Sequence, residues 1–209
     1  MKGVNMIKNL IINFRYTSFG FLLFLLMSTV LLIPALGMAA EIYDIDPDHS
    51  AITFRVKHMG ITFVYGRFNN ARGSYAFDDT VPENCFIDIR VMAANIDTGN
   101  ERRDDHLKSS DFFDVENFPD IVFQSVLVEK LQQATYRIIG HLTLHGITRF
   151  VTVEAVKTGD ISFPDGEKRT GFESTFVIQR SDYGMNTTLG GIADQVELTV
   201  SVEGIRRRQ

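Results

Sequence analysis

The feature of this sequence that most limits its fold is a strict alternation of apolar and polar residues. Within 51–59, Ile52, Phe54 and Val56 alternate with polar residues such as Arg55. Successive side chains of a β-strand point to opposite faces, so this pattern predicts a strand with one buried face and one solvated face. The same pattern predicts strands in nine further segments: 41–45, 61–68, 73–77, 85–93, 121–128, 136–144, 150–156, 172–180 and 196–202.

Several breaks between these runs have the residue types of tight turns, including 69–70, 158–160 and 164–166. Closely spaced strands joined by turns indicate an antiparallel all-β sandwich or barrel. Residues 40–209 contain 13 phenylalanines and no tryptophan, which suits a wide apolar interior. An eight-stranded barrel is wide enough to hold one small ligand in such an interior. The alternative is that the phenylalanines simply fill the core of a sandwich.

One segment, 100–110, has the pattern of a helix, with charged residues throughout and Leu107 as its main apolar contact. This composition predicts a short cap or lid instead of a core helix. The irregular segment that follows, at 111–119, is rich in apolar residues such as Phe112 and Phe113. A loop this apolar needs a cover, which the mouth of a barrel or a bound lipid would supply.

The N-terminal segment has the order of a secretory signal peptide. Three basic residues precede an uncharged apolar run at 19–33, and Pro34 and several small residues follow it. We therefore predict a signal peptide at 1–39 and a single domain at 40–209. An uncleaved anchor is the alternative, because about 20 apolar residues can span a bilayer. Cleavage would deliver the domain to a bacterial periplasm, with secretion into the medium as the alternative.

The charge and cysteine content narrow the class of protein further. The chain has 21 basic and 26 acidic residues, and Lys2, Lys8 and Arg15 are the charged residues before position 40. Residues 40–209 therefore keep 18 basic and 26 acidic residues, a net charge of −8, which is unfavourable for binding nucleic acid. Cys85 is the only cysteine, so no internal disulfide forms, and we expect it to be a small buried apolar side chain.

Catalytic and metal-binding motifs are missing from the sequence. There is no Gly-x-Ser-x-Gly elbow, no His-Glu-x-x-His pair and no glycine-rich phosphate loop. His49 and Ser50 are neighbours, which on a strand would point to opposite faces. His141 and His145 are four residues apart on a predicted strand, roughly 13 Å at ~3.3 Å per residue, which is too far to share one zinc ion easily. We therefore expect a protein that is not an enzyme and uses no metal or cofactor.

Two polar residues at the ends of predicted strands are candidates for contacting a ligand. His58 is in phase with Phe54 and Val56, so its imidazole could meet a quinone carbonyl or a lipid phosphate. Its alternative role is that of a core histidine bonded to a backbone carbonyl. Arg180 continues the apolar face of the strand at 172–180 and would suit a tunnel mouth that grips a phosphate, or else a paired structural arginine.

Three further candidates lie outside the middle of the strands. Arg103 and His106 belong to the helical segment, where the planar guanidinium suits an anionic head group and Asp104 could orient it. The alternative for Arg103 and Asp104 is a structural ion pair that fastens the helix to the strands. His145 is followed by Gly146, which favours a strand-end turn over a ligand contact.

Six short segments occur in an order that runs from about residue 42 to residue 205: 48–50, 66–68, 96–107, 111–119, 140–148 and 180–184. In these segments, taken together, the sequence resembles the YceI-like family of lipocalin-like periplasmic proteins. The resemblance implies an extended, lipocalin-like eight-stranded antiparallel β-barrel whose apolar internal tunnel binds isoprenoid chains or similar long-chain lipids.

The expected function is non-catalytic binding, with carriage or storage, of a long apolar lipid. A polyisoprenoid such as a prenyl diphosphate or a polyprenyl quinone is the first expectation, together with transient membrane contact and a homodimer. The alternatives are a periplasmic stress or interaction protein with a filled core, and a hydrolase of lipid head groups. The expected ligand contacts are Phe54, Val56, His58, Phe68, Arg103, His106, Phe123, Leu142, Leu144, His145, Phe172, Phe176, Ile178 and Arg180.

Overall fold

A computed structural model describes residues 40–187 and 191–208 of the chain. The predicted signal peptide at 1–39 lies outside the described residues. Within them, no helix is both long enough and apolar enough to span a bilayer. The secondary structure is β1 Glu41–Ile45, β2 Ala51–His58, β3 Thr62–Phe68, β4 Arg72–Phe77, β5 Phe86–Met92, β6 Ile96–Asp97, α1 Glu101–Lys108, β7 Asp120–Gln132, β8 Thr135–Leu144, β9 Ile147–Ser162, β10 Lys168–Gln179 and β11 Ile192–Arg206.

The strands form one antiparallel sheet that closes on itself. The order around the sheet is β1, β4, β5, β7, β8, β9, β10 and β11, and β11 returns to β1. β11 also pairs with β2 through most of its length, with Val200 opposite Ile52, and reaches β1 at its end, with Gly204 opposite Ile45. Closure leaves most strands with a hydrogen-bonded neighbour on both sides, which removes the free edges of an open sheet.

Three of the barrel strands are interrupted. β1 and β2 follow one another along β11, β3 and β4 follow one another along β1 and β2, and β5 and β6 do the same along β3 and β4. The breaks fall at 46–50, 69–71 and 93–95. The eleven described segments therefore make eight antiparallel barrel strands, which confirms the predicted all-β, eight-stranded barrel with one short helix.

The predicted strands are all present in the structure, and four are clearly longer than expected. β7, β9, β10 and β11 extend past the alternating segments because their polar ends still pair with their neighbours. A register shift between Gly171 and Phe172 lets β10 bend there. The two-residue β6 was not predicted, since two residues are too short to show any alternation.

Helix α1 is held in place by hydrogen bonds at its N-terminus. The side chain of Asn100 accepts a hydrogen bond from the backbone N–H of Arg103 at 3.0 Å, as an N-cap residue does. Thr98, just after β6, donates its backbone N–H to the Asp104 carboxylate at 3.0 Å, while the Arg103 guanidinium donates to the Thr98 carbonyl at 2.8 Å. These contacts fix the helix against the end of the barrel.

Candidate functional site

The barrel encloses a cavity of about 230 Å³. About 10–15 Å³ of such space is enough to hold one water molecule, so the cavity is far larger than a packing defect. Its lining is almost wholly apolar and comes from strands all around the barrel. It runs from Phe77 and Tyr136 near one end to Arg180 and Met185 near the other, so it follows the length of the barrel.

The alternation seen in the sequence explains why the lining is apolar. In β8 every second residue from Tyr136 to Leu144 is buried, and the residues between them are half-buried. Glycines on the inner side give the aromatic rings room, because a Cβ at Gly140 would overlap the ring of Phe123. A strand pattern of period two thus supplies a continuous apolar wall.

One end of the cavity is closed by an aromatic plug, formed by Phe77, Tyr136 and Phe172. Their ring centroids lie 5.1 to 6.2 Å apart in edge-to-face arrangements. The Tyr136 hydroxyl donates to the carboxylate of Asp79, so the ring stays in the apolar wall while its polar end reaches outward. Burial raises the pKa of the adjacent Cys85 thiol, which keeps it protonated and apolar in the lining.

The other end, which we call the helix end, is covered by α1 and the segment after it. Leu107 of α1 lines the cavity together with Phe112 and Phe113. Phe113 packs edge-on against Phe68 of β3, with ring centroids 5.6 Å apart, and Phe68 contacts Phe54 at 5.6 Å. The apolar segment predicted to need a cover therefore supplies part of the cavity wall itself.

Arg180 is a cation among the residues that line the helix end. Its Nε donates to the carbonyl of Ala193 at 3.3 Å, and its Nη1 donates to the carbonyls of Thr187, at 3.2 Å, and Met185. Guanidinium N–H groups that donate to backbone carbonyls in this way fasten the turn after β10 to the start of β11. Arg180 thus has a structural role at the end of the cavity, and a grip on a ligand phosphate stays a prediction.

The cavity brings together most of the residues predicted to contact a ligand, although binding itself stays a prediction. Four of the fourteen, His58, Arg103, His106 and His145, do not line it. The ten that do are Phe54, Val56, Phe68, Phe123, Leu142, Leu144, Phe172, Phe176, Ile178 and Arg180.

Two histidines that the sequence placed near the ligand lie at turns. His58 is the last residue of β2, where the hairpin to β3 begins, so the inward face of the strand ends before it. His145 adopts a positive φ of 50° between β8 and β9, and its Nδ1 lies 2.9 Å from the carbonyl oxygen of Tyr183. His145 therefore joins two turns, as its alternative interpretation predicts.

The charged residues of α1 are used within the fold. Nε of Arg103 donates to the Thr98 hydroxyl at 2.7 Å, so both Arg103 and Asp104 hold the same threonine instead of forming an ion pair with each other. Nε2 of His106 lies 3.1 Å from a carboxylate oxygen of Asp111, and its ring packs against Phe112. The side chains of Arg103, Asp104 and His106 lie at the helix end of the barrel, but none of them lines the cavity.

A cluster of ionisable groups outside the cavity has the residue types of a metal site. Asp46, His49 and Glu203 bring ligand atoms within 4.8 Å of one another. Arg169 already donates to both carboxylates, at 3.2 Å to Asp46 and 2.7 Å to Glu203. A hydrogen bond from His49 lowers the pKa of Asp46. With a guanidinium at its centre, the cluster is an ion-pair network of the barrel wall.

Sequence reasoning missed part of the lining. Phe77, Leu107, Phe113 and Tyr136 lie at the ends of strands or in the helical region, where alternation starts or stops. Their common feature is a large apolar side chain beside a turn. That feature alone does not distinguish an inward position from an exposed one such as Phe150.

The fold and the cavity define a class of protein: a small closed β-barrel with an apolar interior that is open to occupation by a ligand. A family model described as the YceI-like domain matches residues 43–204. A UPF0312 protein of Yersinia enterocolitica is 39% identical over 174 residues, which cover 82% of this chain and 90% of that protein. The chain belongs to the YceI-like family.

Solved structures are similar to this fold. A YceI protein of Campylobacter jejuni aligns with a TM-score of 0.65 and 28% identity over 72% of this chain and 90% of that one. BcnA of Burkholderia cenocepacia gives a TM-score of 0.70 at 21% identity, covering 77% and 99%. A domain of Saccharophagus degradans, described as a polyisoprenoid binding domain, gives 0.62 at 12% identity, covering 79% and 98%. The last two similarities concern the fold alone.

Proposed function

We propose that this protein binds one long-chain apolar lipid inside its barrel and carries or stores it without chemical change. The observation on which the proposal rests is the apolar cavity that follows the barrel from the aromatic plug to the helix end. Such a shape accommodates an extended hydrocarbon chain better than a compact polar metabolite. The same cavity disfavours the alternative of an interaction protein with a filled core.

A polyisoprenoid is the cargo that we propose first. The support is the family, together with the similarly folded S. degradans domain described as binding polyisoprenoid. The lining is made mainly of branched and aromatic side chains, which pack well against methyl-branched chains. Prenyl diphosphates and polyprenyl quinones share that chain, and their head groups would lie at an end of the cavity.

The energetics suit reversible carriage. Burial of about 600 Å² of lipid surface would contribute about 15 kcal/mol at about 25 cal/mol per Å². Association and ordering cost about 4–15 kcal/mol, which leaves a modest net affinity. A carrier that must take up and release a water-insoluble chain needs this intermediate range. We propose the periplasm as its compartment, with the medium as the alternative, on the strength of the N-terminal segment.

The proposal includes no catalytic step. Among the described residues, the charged side chains that line the cavity are Arg180 and Glu173. Arg180 donates hydrogen bonds to backbone carbonyls. Activation of a nucleophile requires a base within hydrogen-bond reach, and we find no such pair in the lining. Membership of the YceI-like family and the similar fold of the S. degradans polyisoprenoid binding domain support binding without catalysis.

A single introduced tryptophan tests the binding site, because the natural sequence has none. Phe176→Trp puts the indole in the cavity wall, and Phe150→Trp puts it on the outside of the barrel, where the natural side chain is 69% exposed. We expect a nitroxide-labelled long-chain lipid to quench the first protein saturably and the second weakly. Equal quenching of the two variants would contradict an internal site.

A further inference from the structure

The outer face of the β2–β3 hairpin carries an unusual group of exposed apolar side chains. Ile61, at the turn, is 84% exposed, the highest value among the large apolar residues that the structure describes. Met59 beside it is 63% exposed, and Phe63 and Tyr65 follow on the outward side of β3 at 41% and 61%. Single exposed apolar residues are common, but four on one hairpin form a patch that indicates a contact surface.

The same hairpin is basic within an acidic domain. The hairpin segment 51–68 contains three basic residues and no Asp or Glu, whereas residues 40–209 carry a net charge of −8. Arg55, Lys57 and Arg67 alternate with inward residues and therefore share the outer face with Phe63 and Tyr65. The carboxylates near this face belong to other strands.

Two of these cations are available to a partner. Arg55 forms an ion pair with Glu197 at 2.8 Å and lies over the ring of Phe63, 4.7 Å from its centroid. Lys57 and Arg67 are exposed, and neither has an ion-pair partner in the part of the chain that the structure describes. Asp97 is opposite Arg67 in the ladder, but its carboxylate accepts the N–H of Gly99 at 2.9 Å.

The hairpin turn adjoins the helix end of the cavity. The backbone N–H of Met59 donates to the carbonyl of Gly191 at 2.5 Å, and His58 is opposite Ile192 in the β2–β11 ladder. Ile192 lines the cavity. A surface that held this turn would therefore lie next to the end of the barrel at which Arg180 and Met185 are found.

We propose that the outer face of the β2–β3 hairpin docks this protein on an anionic lipid bilayer. The Met59–Ile61 turn would enter the interface, the rings of Phe63 and Tyr65 would lie at head-group level, and Lys57 and Arg67 would reach the phosphates. Apolar area and cations in combination are what such surface binding requires. The inference goes beyond cargo binding and does not depend on the identity of the cargo.

A protein partner fits this surface less well than a bilayer. Specific protein interfaces bury about 800 Å² on each partner and are depleted in lysine. The hairpin offers a narrow strip of four apolar side chains with the exposed Lys57 beside them. A strip of this form penetrates a soft interface more readily than it fills a flat protein surface.

The test is cosedimentation of the protein, recovered from an exporting host, with vesicles of phosphatidylethanolamine that contain or lack phosphatidylglycerol. We expect binding to the anionic vesicles that weakens at high salt. Ile61→Ser should reduce it about ten-fold or more, and Lys57→Gln with Arg67→Gln should reduce it by at least about ten-fold. All proteins carry the same N-terminus, which mass spectrometry verifies.

Control variants change outward-facing residues elsewhere on the barrel. Val126→Ser removes an apolar side chain that is 61% exposed on β7, and Arg90→Gln with Arg137→Gln removes two ion-paired cations from β5 and β8. These variants should bind vesicles like the natural protein. Thermal unfolding shows that each variant is folded, and the tryptophan quenching assay measures cargo binding separately.

Three results would overturn the proposal. One is the absence of binding to anionic vesicles, and another is equal binding by the hairpin variants and their controls. The third is a dimer that Ile61→Ser dissociates while vesicle binding persists, since the face would then serve a second copy of the chain. Each can occur while cargo binding is intact, so a failure here differs from a failure of the proposed function.

Discussion

The ring of Phe54 lies over Gly66, its direct partner across the β2–β3 ladder, and fills the space where a side chain at position 66 would begin. Phe54 lines the cavity. The absence of a Cβ at Gly66 therefore sets how far the aromatic ring extends into the interior. A backbone position on one strand controls the shape of the cavity through a side chain on the next.

Gly66→Ala should consequently change both stability and binding. The methyl group would force the Phe54 ring out of its position, and overpacking of this kind costs about 1–3 kcal/mol in the free energy of unfolding. The displaced ring would also narrow the cavity and weaken cargo binding. Urea denaturation and the quenching assay measure the two effects.

Gly159→Ala is the matched control, because Gly159 is also in a strand and nothing lies within 4 Å of the position that its Cβ would take. We expect it to leave both quantities nearly unchanged. If Gly66→Ala behaved in the same way, Phe54 would not be confined as the structure indicates.

Arg103→Gln tests whether this residue holds the helix or a ligand. The guanidinium donates to both the hydroxyl and the carbonyl of Thr98. Losing these charge-assisted hydrogen bonds should lower the free energy of unfolding by about 1–2 kcal/mol, a modest loss because the side chain is partly exposed. It should also increase hydrogen exchange at 98–108. Arg102→Gln, at an exposed neighbouring position, should have neither effect. A loss of binding for anionic lipids alone, at unchanged stability, would instead support the head-group role.

The stability of the barrel should depend on pH through Glu41 on β1. Burial on its own would raise the pKa of Glu41, but hydrogen bonds from Lys168, Tyr43 and Arg206 outweigh it and lower the pKa from 4.5 to about 2. A carboxylate whose pKa is lowered by folding stabilises the fold at pH values above the pKa that it has in the unfolded chain. This contribution is lost as the pH falls from about 4.5 to about 2.

Glu41→Gln should therefore lower stability at neutral pH and make the loss on acidification shallower in that range. Denaturant titrations at a series of pH values measure both changes. Glu116→Gln, at an exposed position between α1 and β7, is the control and should retain the natural pH profile. A profile for Glu41→Gln that ran parallel to the natural one would show that the pairing contributes little.

Alternation predicted the strands and the inward face because both follow from the two-residue period of the backbone. Phe54 and Val56, or Leu142 and Leu144, could be assigned to the lining without knowledge of their neighbours. Alternation could not predict that β11 closes the sheet, because closure depends on the pairing of residues about 150 positions apart, such as Ile52 and Val200.

The polar residues were harder to place because two demands compete for each of them. An imidazole or guanidinium can meet a ligand, but it can also satisfy the backbone groups that turns and helix ends leave without partners. His145 and Arg103 serve the second purpose, bonded to Tyr183 and Thr98. Nothing in the spacing of the residues distinguishes the two uses, and Arg180 combines a position at the cavity with bonds to carbonyls.

The most direct test of the central claim, that the barrel interior holds a long apolar lipid, is native mass spectrometry of the protein recovered from an exporting host. The natural protein is compared with two variants. Leu198→Trp fills the cavity, and Val177→Trp is the control, because the natural Val177 side chain points outward and is 54% exposed. We predict a stoichiometric lipid adduct, extractable into organic solvent, on the natural protein and Val177→Trp but not on Leu198→Trp. A natural protein that stays free of lipid after incubation with polyprenyl quinone and prenyl diphosphate, or an adduct that survives Leu198→Trp, would contradict the account.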